Sequence, residues 1–490
     1  MDARRARPRR VRRLELNALS PADYLVIGGY LAAITAFGSW FARFQKTTRD
    51  YFLTDRSVPW WAICFTIVAT ETSTLTFIGI PAAAYAGNMT FLQLAAGYVI
   101  GRFLISLLFI PAYFRGELFT SYELLRRRFG AGVTTLSAGI FLVTRSLADG
   151  IRLFATALVI AVVTGVPVTW VVVVLGAAMI VYTVRGGVSA VIWTDVVQMF
   201  VYIAGAAAVG YALLARIPGG WDEVVRVGAD TGRFTVIDAA FDLTRPYTLW
   251  SGLVGGVALT LATHGTDQFL VQRLLSARSE RDASMGLVLS GFIVFAQFVV
   301  FLLIGVMLFA YYAQAPLPRP LGRTDEVLPL FVVTSLTNGL AGFIVAAIVA
   351  AALSPSLNAM AATTVNDFYL RWVNPSADQR TQMRLSRRAT VFWGVVQVAI
   401  AILAQVMDRS VLDAGLAVLS FASGAVLGAF LVGTLAPGIG GRDTLIGMVA
   451  GLAAMTIVWA FTAVAFTWYV FIGAATTGVV AWTASLGRAR

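Results

Sequence analysis

The chain has 490 residues, 58% of them hydrophobic and only 13% charged, so most of its length cannot serve as the water-facing surface of a globular protein. Its lone cysteine, Cys64, and lone histidine, His264, exclude a disulfide framework and leave nothing with the pattern of a Cys/His zinc or haem site. The formal net charge of +12 sits largely in arginines between apolar runs, where it orients helices in a membrane and gives no reason to expect nucleic-acid binding.

A bilayer core takes about 20 predominantly apolar residues per helix. On that measure the apolar runs predict about thirteen helices, near 23–43, 59–86, 89–114, 132–164, 167–184, 188–214, 249–271, 283–312, 328–370, 387–407, 411–436, 442–464 and 466–485. The expected fold is an all-α membrane protein: a basic N-terminal tail over 1–22, one transmembrane domain over 23–485 and a short C-terminus over 486–490. Arginine concentrates in predicted loops at 43–58, 115–131, 273–284 and 371–388, which the positive-inside rule makes cytoplasmic. With an odd helix count, this places the N-terminus outside and the C-terminus inside a bacterial-type cytoplasmic membrane. The basic run from Arg4 to Arg13 opposes that orientation, and it lacks the apolar region of a cleaved signal. The longest polar connection, 215–248, reads as an external cap, and no kinase-like domain follows the last helix.

Two predicted helices are interrupted by polar residues. The second carries Thr70-Glu71-Thr72-Ser73-Thr74-Leu75-Thr76, six polar residues in seven, followed by Gly79 and Pro81. The seventh carries Thr260, Thr263, His264, Gly265, Thr266 and Asp267. Paired broken helices expose carbonyls to cations and half-helix N-termini to anions, and they point to the binding site of a secondary transporter. A single threonine serves as readily to satisfy a neighbouring carbonyl; two clusters, each with an ionisable residue, favour function.

A charge at the bilayer centre costs roughly 2.5 to 3.5 kcal/mol on insertion scales. Glu71, Arg145, Asp149, Arg152, Asp195, His264 and Asp267 all fall within predicted spans. Asp149 and Arg152, three apart, are spaced to neutralise each other. Asp267 and Arg273 flank a helix end and read as gate or packing residues. Glu71 and Asp195 have no evident local partner and stand as the stronger functional candidates.

Several blocks then carry a resemblance: Arg56-Ser57-Val58-Pro59-Trp60-Trp61, Phe77-Ile78-Gly79, the run from Gly186 to Asp195, Thr266-Asp267-Gln268 with Val271-Gln272-Arg273, and Leu357-Asn358 with Asp367-Phe368-Tyr369. From about Tyr51 to Pro437 the chain resembles the sodium/solute symporters, the family of the sodium-glucose cotransporters and the bacterial proline and sialic acid transporters. The resemblance implies a five-plus-five inverted repeat, about 59–214 and 249–436, with one helix before and two after, working by alternating access. It implies symport of a small polar organic solute with sodium, no other cofactor, and no enzymatic activity. The expected partners are that solute, the sodium ion and the lipid bilayer, without nucleic acid or an obligate protein partner.

By the same resemblance the principal sodium site would use carbonyls at Ala69, Thr72 and Ile348, together with positions Ala351 and Ala352, where the family carries hydroxyls and this chain has none. Two features compensate: Pro355 lacks the N–H that would engage the Ala351 carbonyl, and Glu71 falls where the proline transporters carry an acidic residue. A second ion site matches Asp195 and Ser354, with Pro355 in place of a serine. Proton coupling through Glu71 or Asp195 is the rival reading. The positions of the family's solute pocket match Ser73, Thr76, Ala95, Thr260, Thr263, His264 and Val294, and the apolar Ala95 and Val294 argue against a glucose-like hydroxyl network. Arg145 is suited to bidentate binding of a carboxylate, or to pairing with Glu71 or Asp149. A channel would need a continuous polar pore and an enzyme a nucleophile-base pair, and neither pattern is present; a non-transporting solute sensor is a further alternative.

Overall fold

The structure is a computed structural model that describes residues 19–40, 54–115, 118–337, 339–350, 356–406 and 410–487. Most of the basic tail, Arg43, Lys46 and Arg49 of the loop after the first helix, and the ion-site positions Ala351, Ala352, Ser354 and Pro355 lie outside the described residues. Within them the regular structure is helical, with one isolated parallel bridge between Val58 and Ala277.

In chain order the helices are α1 (Pro21–Trp40), α2 (Trp60–Glu71), α3 (Thr74–Ala86), α4 (Phe91–Leu108), α5 (Ile110–Phe114), α6 (Tyr122–Phe129), α7 (Ala131–Thr164), α8 (Val168–Leu214) and α9 (Gly220–Asp230). A π-turn (Ser251–Gly255) leads into α10 (Gly256–Gly265), followed by α11 (Gln268–Leu275), α12 (Glu280–Gln314), α13 (Val327–Ser335), α14 (Leu340–Ala350) and α15 (Leu357–Thr363). The chain closes with α16 (Gln379–Leu403), α17 (Val411–Leu435), α18 (Gly441–Phe461) and α19 (Tyr469–Leu486).

Among the described residues nine helices are long and apolar enough to cross a membrane, ten if the bent pair α2–α3 counts as one span. That number falls below the thirteen expected because several apolar runs are not single helices. The run 328–370 divides into α13, α14, α15 and a π-turn (Thr364–Tyr369). In α8 the opposite holds: the backbone is helical throughout its 47 residues, with no interruption at 185–187. At about 1.5 Å per residue, α8 is more than twice as long as a bilayer core is thick.

The expected loops also change. Arg126, Arg127 and Arg128 lie in α6, Arg273 in α11, and Arg380, Arg384, Arg387 and Arg388 in the first half of α16. The connection 215–248 contains α9, and its Arg233 donates to the carbonyls of Ala84 (3.0 Å), Tyr85 (2.5 Å) and Gly87 (2.8 Å). Arg233 thereby satisfies acceptors left open at the end of α3. At the other end of the chain, Asp23 of α1 accepts from Gly339 N and Gly342 N, each at 2.7 Å, and ties α1 to α14.

Close backbone approach positions the interior. In α4, Gly97 and Gly101 form a small-xxx-small pair facing α10. A Cβ on Gly97 would lie 2.3 Å from the Gly252 carbonyl oxygen, and one on Gly101 would lie 2.8 Å from Thr260 Cβ. This contact carries Arg102, the next residue, into the protein interior beside α10.

Candidate solute and ion site

The polar run Thr70–Thr76 does break the helix. α2 and α3 are bent by 59° at Thr72 and Ser73. β-Branched and hydroxyl side chains disfavour continued helix because they restrict χ1 and compete for backbone partners. The groups released by the break are satisfied locally: Thr72 N donates to Val68 O (2.9 Å), Ser73 N to Glu71 O (2.9 Å), and Thr76 Oγ1 to Glu71 O (3.1 Å). Thr74 Oγ1 donates to Ile348 O at 3.1 Å and accepts from Thr156 Oγ1 at 2.9 Å, so the break meets α14 and α7. Ala69, Thr72 and Ile348 are all buried there, and the Thr72 hydroxyl is bonded to the Gln297 amide.

The second break separates α10 from α11 at Thr266 and Asp267. Thr266 N and Asp267 N both donate to Ala262 O at 3.1 Å, and the Asp267 carboxylate caps α11 by accepting from Phe269 N at 2.8 Å. Tyr113 Oη donates to Gly265 O and Ser121 Oγ to Thr266 O (2.9 Å). Irregular backbone at membrane depth requires this kind of complete satisfaction.

Between the breaks lies a cavity of about 110 Å³. The six positions proposed from the sequence for the solute, Ser73, Thr76, Arg145, Thr260, Thr263 and His264, all line it. Glu71 and Arg152 contribute to the wall as well, whereas Ala95 and Val294 are buried elsewhere among the described residues. The Thr260 hydroxyl is buried without a hydrogen-bond partner, while Thr263 Oγ1 lies 2.9 Å from both Leu259 O and His264 Nδ1.

Ion pairs revise the reading of the carboxylates. Glu71 is not without a partner: the Arg102 guanidinium lies on its Oε2, and His264 Nε2 is 3.4 Å from the same oxygen. Arg102, 0% exposed, also donates to Ser290 Oγ at 3.0 Å. Asp195, equally buried, pairs with Arg273 Nη2 at 3.0 Å and accepts from Thr66 Oγ1 at 2.6 Å; Arg273 Nε reaches Thr66 Oγ1 at 3.1 Å. Neither partner was evident in the sequence because both are distant along the chain and meet only through packing.

Arg145 is bound to the Asp267 carboxylate and lies 3.7 Å from Asp149. It does not pair with Glu71. Asp149 accepts from Ser356 Oγ and makes no ion pair with Arg152, contrary to the pairing expected from their spacing. Arg152 Nε and Nη1 are buried with no hydrogen-bond partner. Arg102 is not among the candidates named from the sequence, although an arginine within the apolar run of α4 carries the signal of an intramembrane charge. No cluster of His, Cys, Asp or Glu suited to a transition-metal ion occurs among the described residues.

A sequence profile described as the sodium:solute symporter family matches residues 51–451. The sodium/sialic acid symporter NanT of Aliivibrio fischeri is 29% identical, over 94% of this chain and 92% of that protein. The human sodium/iodide cotransporter is 30% identical, over 88% of this chain and 68% of that protein. The solved outward-open structure of a Na+-coupled sialic acid symporter superposes with a TM-score of 0.89 at 26% identity, covering 95% of this chain and 98% of that one. Mhp1, a nucleobase-cation-symport-1 family transporter, shares the fold at a TM-score of 0.57 and 12% identity, over 89% of this chain and 95% of that one. The relatives are membrane transporters rather than enzymes, and the profile match over most of its length shows that the chain belongs to the sodium:solute symporter family.

Proposed function

We propose that the chain is a sodium-coupled symporter that imports a small organic carboxylate. The observation that carries the solute class is Arg152, whose Nε and Nη1 are buried and unpartnered on the wall of a cavity between two broken helices. Buried guanidinium N–H groups without a partner are costly, and a carboxylate would satisfy two of them with charge-assisted hydrogen bonds. Arg145, by contrast, already has the Asp267 and Asp149 carboxylates around it. Ser73, Thr76, Thr260, Thr263 and His264 would then meet the rest of the solute. A cavity well below the ~300–1,000 Å³ of drug-sized pockets suits a compact one. Sialic acid, iodide and monocarboxylates, named for relatives, are all anions at neutral pH.

Charge balance supports sodium as the coupling ion. Around the cavity Arg102, Arg145 and Arg152 stand against Glu71, Asp149 and Asp267, so with His264 neutral, one sodium ion and one carboxylate enter together without net charge. Protonating Glu71 would instead strand the buried Arg102, and protonating Asp195 would remove the charge from its buried ion pair with Arg273, which disfavours either as a proton carrier. Sodium would be held by the Ala69, Thr72 and Ile348 carbonyls with positions Ala351 and Ala352; a second ion at Asp195 and Ser354 would add one net positive charge to this balance.

In this reading the two five-helix repeats, about 59–214 and 249–436, rock against each other within a domain of about thirteen helices over 23–485. The flanking segments are 1–22 and 486–490. The N-terminus lies outside and the C-terminus inside a bacterial cytoplasmic membrane.

The test is uptake of a labelled metabolite library by proteoliposomes, with sodium and pH gradients imposed separately. Sodium-driven uptake of carboxylates is expected. Uptake driven by pH alone would overturn sodium coupling, uptake of neutral solutes only would overturn the carboxylate, and binding without uptake would indicate a sensor.

A further inference from the structure

Far from the cavity between the broken helices, the N-terminal half of α16 borders a groove of about 900 Å³. Arg380, Arg384, Arg387 and Arg388 line it, with Val184 of α8 opposite and Val391 at its far end. Their spacing puts all four guanidinium groups on one helical face. All four side chains are exposed, and none makes an ion pair among the described residues. Helix α16 contains no acidic residue, and the nearest carboxylate, Asp378, is engaged as its cap, accepting from Thr381 N at 3.2 Å. The positive end of the helix dipole lies at this same end, where it disfavours cations and reinforces their potential. Four arginines concentrated there against the single carboxylate of Asp378 form a site for an anion.

The same face continues into apolar surface. Val391, Phe392 and Val395 follow the arginines by one to two turns and are 43%, 59% and 57% exposed, as expected of residues facing acyl chains. We propose that this groove binds the headgroup of an anionic phospholipid, the arginines holding the phosphate and the Val391–Phe392–Val395 surface the first part of an acyl chain. Arginine forks match phosphate oxygens in pairs, and basic pockets beside membrane helices are suited to such headgroups. The adjoining apolar stripe selects a lipid over a soluble phosphate, because only a lipid presents both parts at once. The positive-inside rule accounts for basic residues on one side of the membrane. It does not account for a concave groove with four unpaired arginines on one face.

The experiment uses the full chain in nanodiscs containing equal parts phosphatidylglycerol and phosphatidylcholine, with retained lipid identified by native mass spectrometry. Preferential retention of phosphatidylglycerol by the wild type is expected. Weakening of about fivefold per arginine is expected in R384Q and R388Q, following the ~1 kcal/mol typical of a basic residue near an anionic surface. Substituting all four arginines by lysine keeps the charge that orients the helix and should reduce retention less than substitution by glutamine. Equal retention of the two lipids by the wild type, or unchanged retention in R384Q and R388Q, would overturn the proposal. Displacement of the lipid by millimolar inorganic phosphate would overturn it in favour of a soluble anion.

Discussion

Arg102, fully buried in the middle of α4, lies against the Glu71 carboxylate at the point where α2 ends and the chain turns into α3. The pair joins the wall of the cavity to the helix that packs against α10 through Gly97 and Gly101. Glu71 is therefore part of the scaffold of the break as well as of the cavity surface. Removing its charge leaves a guanidinium uncompensated inside the membrane domain.

Glu71→Gln is accordingly expected to destabilise the protein by about 3–5 kcal/mol, the cost of breaking a buried pair. Glu71→Gln combined with Arg102→Met removes both charges and should recover much of that loss. The melting temperatures of the detergent-purified single and double variants measure the difference. A single variant that melts like the wild type would show that the pair contributes nothing to the fold.

The Asp195–Arg273 pair calls for the same treatment. Asp195→Asn should lower membrane abundance as well as transport, because Arg273 is 3% exposed and loses its carboxylate. Arg273→Gln in the same chain should restore abundance. Transport that returns with abundance would mean a structural pair, whereas transport that stays low in a well-folded double variant would assign Asp195 to ion binding. Quantitative membrane blots alongside uptake separate these outcomes.

The sequence made some of this plain and hid the rest for physical reasons. Composition and apolar runs indicated an all-helical membrane protein, and the Thr70–Thr76 run marked a break that the structure places at Thr72 and Ser73. Both follow from local properties: the cost of polar groups in lipid and the conformational preferences of hydroxyl residues. Counter-ions were not legible. Arg102 is 31 residues from Glu71 along the chain, and Arg273 is 78 from Asp195, so only tertiary packing pairs them. The spacing of Asp149 and Arg152 suggested a pair that the structure does not make, because Arg145 and Ser356 hold Asp149 instead. Local spacing permits such a contact but cannot show which competitor is nearer in space.

The approach of α4 to α10 gives a prediction independent of charge. Gly97→Ala would set a methyl group 2.3 Å from a backbone oxygen, which no side-chain rotation relieves. Overpacking of this kind costs about 1–3 kcal/mol. Gly210→Ala in α8 meets nothing within 4 Å and should be neutral or stabilising by up to about 1 kcal/mol. Fluorescence-detected size-exclusion chromatography after heating compares the two, and equal behaviour would contradict the close packing described here.

Arg152 tests the solute. Arg152→Gln should raise the half-saturating carboxylate concentration about 10- to 100-fold, which corresponds to the ~1.5–3 kcal/mol of hydrogen bonds to a charged group. Membrane abundance should hold or improve, since two buried N–H positions without a hydrogen-bond partner are removed. Arg152→Lys, with a point charge in place of a fork, should fall between. An unchanged half-saturating concentration would exclude Arg152 from the solute site.

The last prediction concerns sodium, where this chain departs from the pattern of the symporters it resembles. From the sequence alone Glu71 is a natural replacement for the hydroxyls absent at positions 351 and 352, yet its carboxylate already balances Arg102. It is therefore not available as an uncompensated negative charge for the ion. If sodium is held mainly by carbonyl oxygens of Ala69, Thr72 and Ile348, the site is poor in ligands, and a dehydrated cation is correspondingly weakly held. Ala351→Ser and Ala352→Ser each add one oxygen. Together they should lower the half-saturating sodium concentration several-fold while leaving the solute affinity at saturating sodium unchanged, because no solute contact is altered. Sodium titrations of uptake by the double-serine variant measure this directly. A sodium dependence identical to the wild type would show that positions 351 and 352 do not face the coupling ion, and would place the principal ion site elsewhere in the protein.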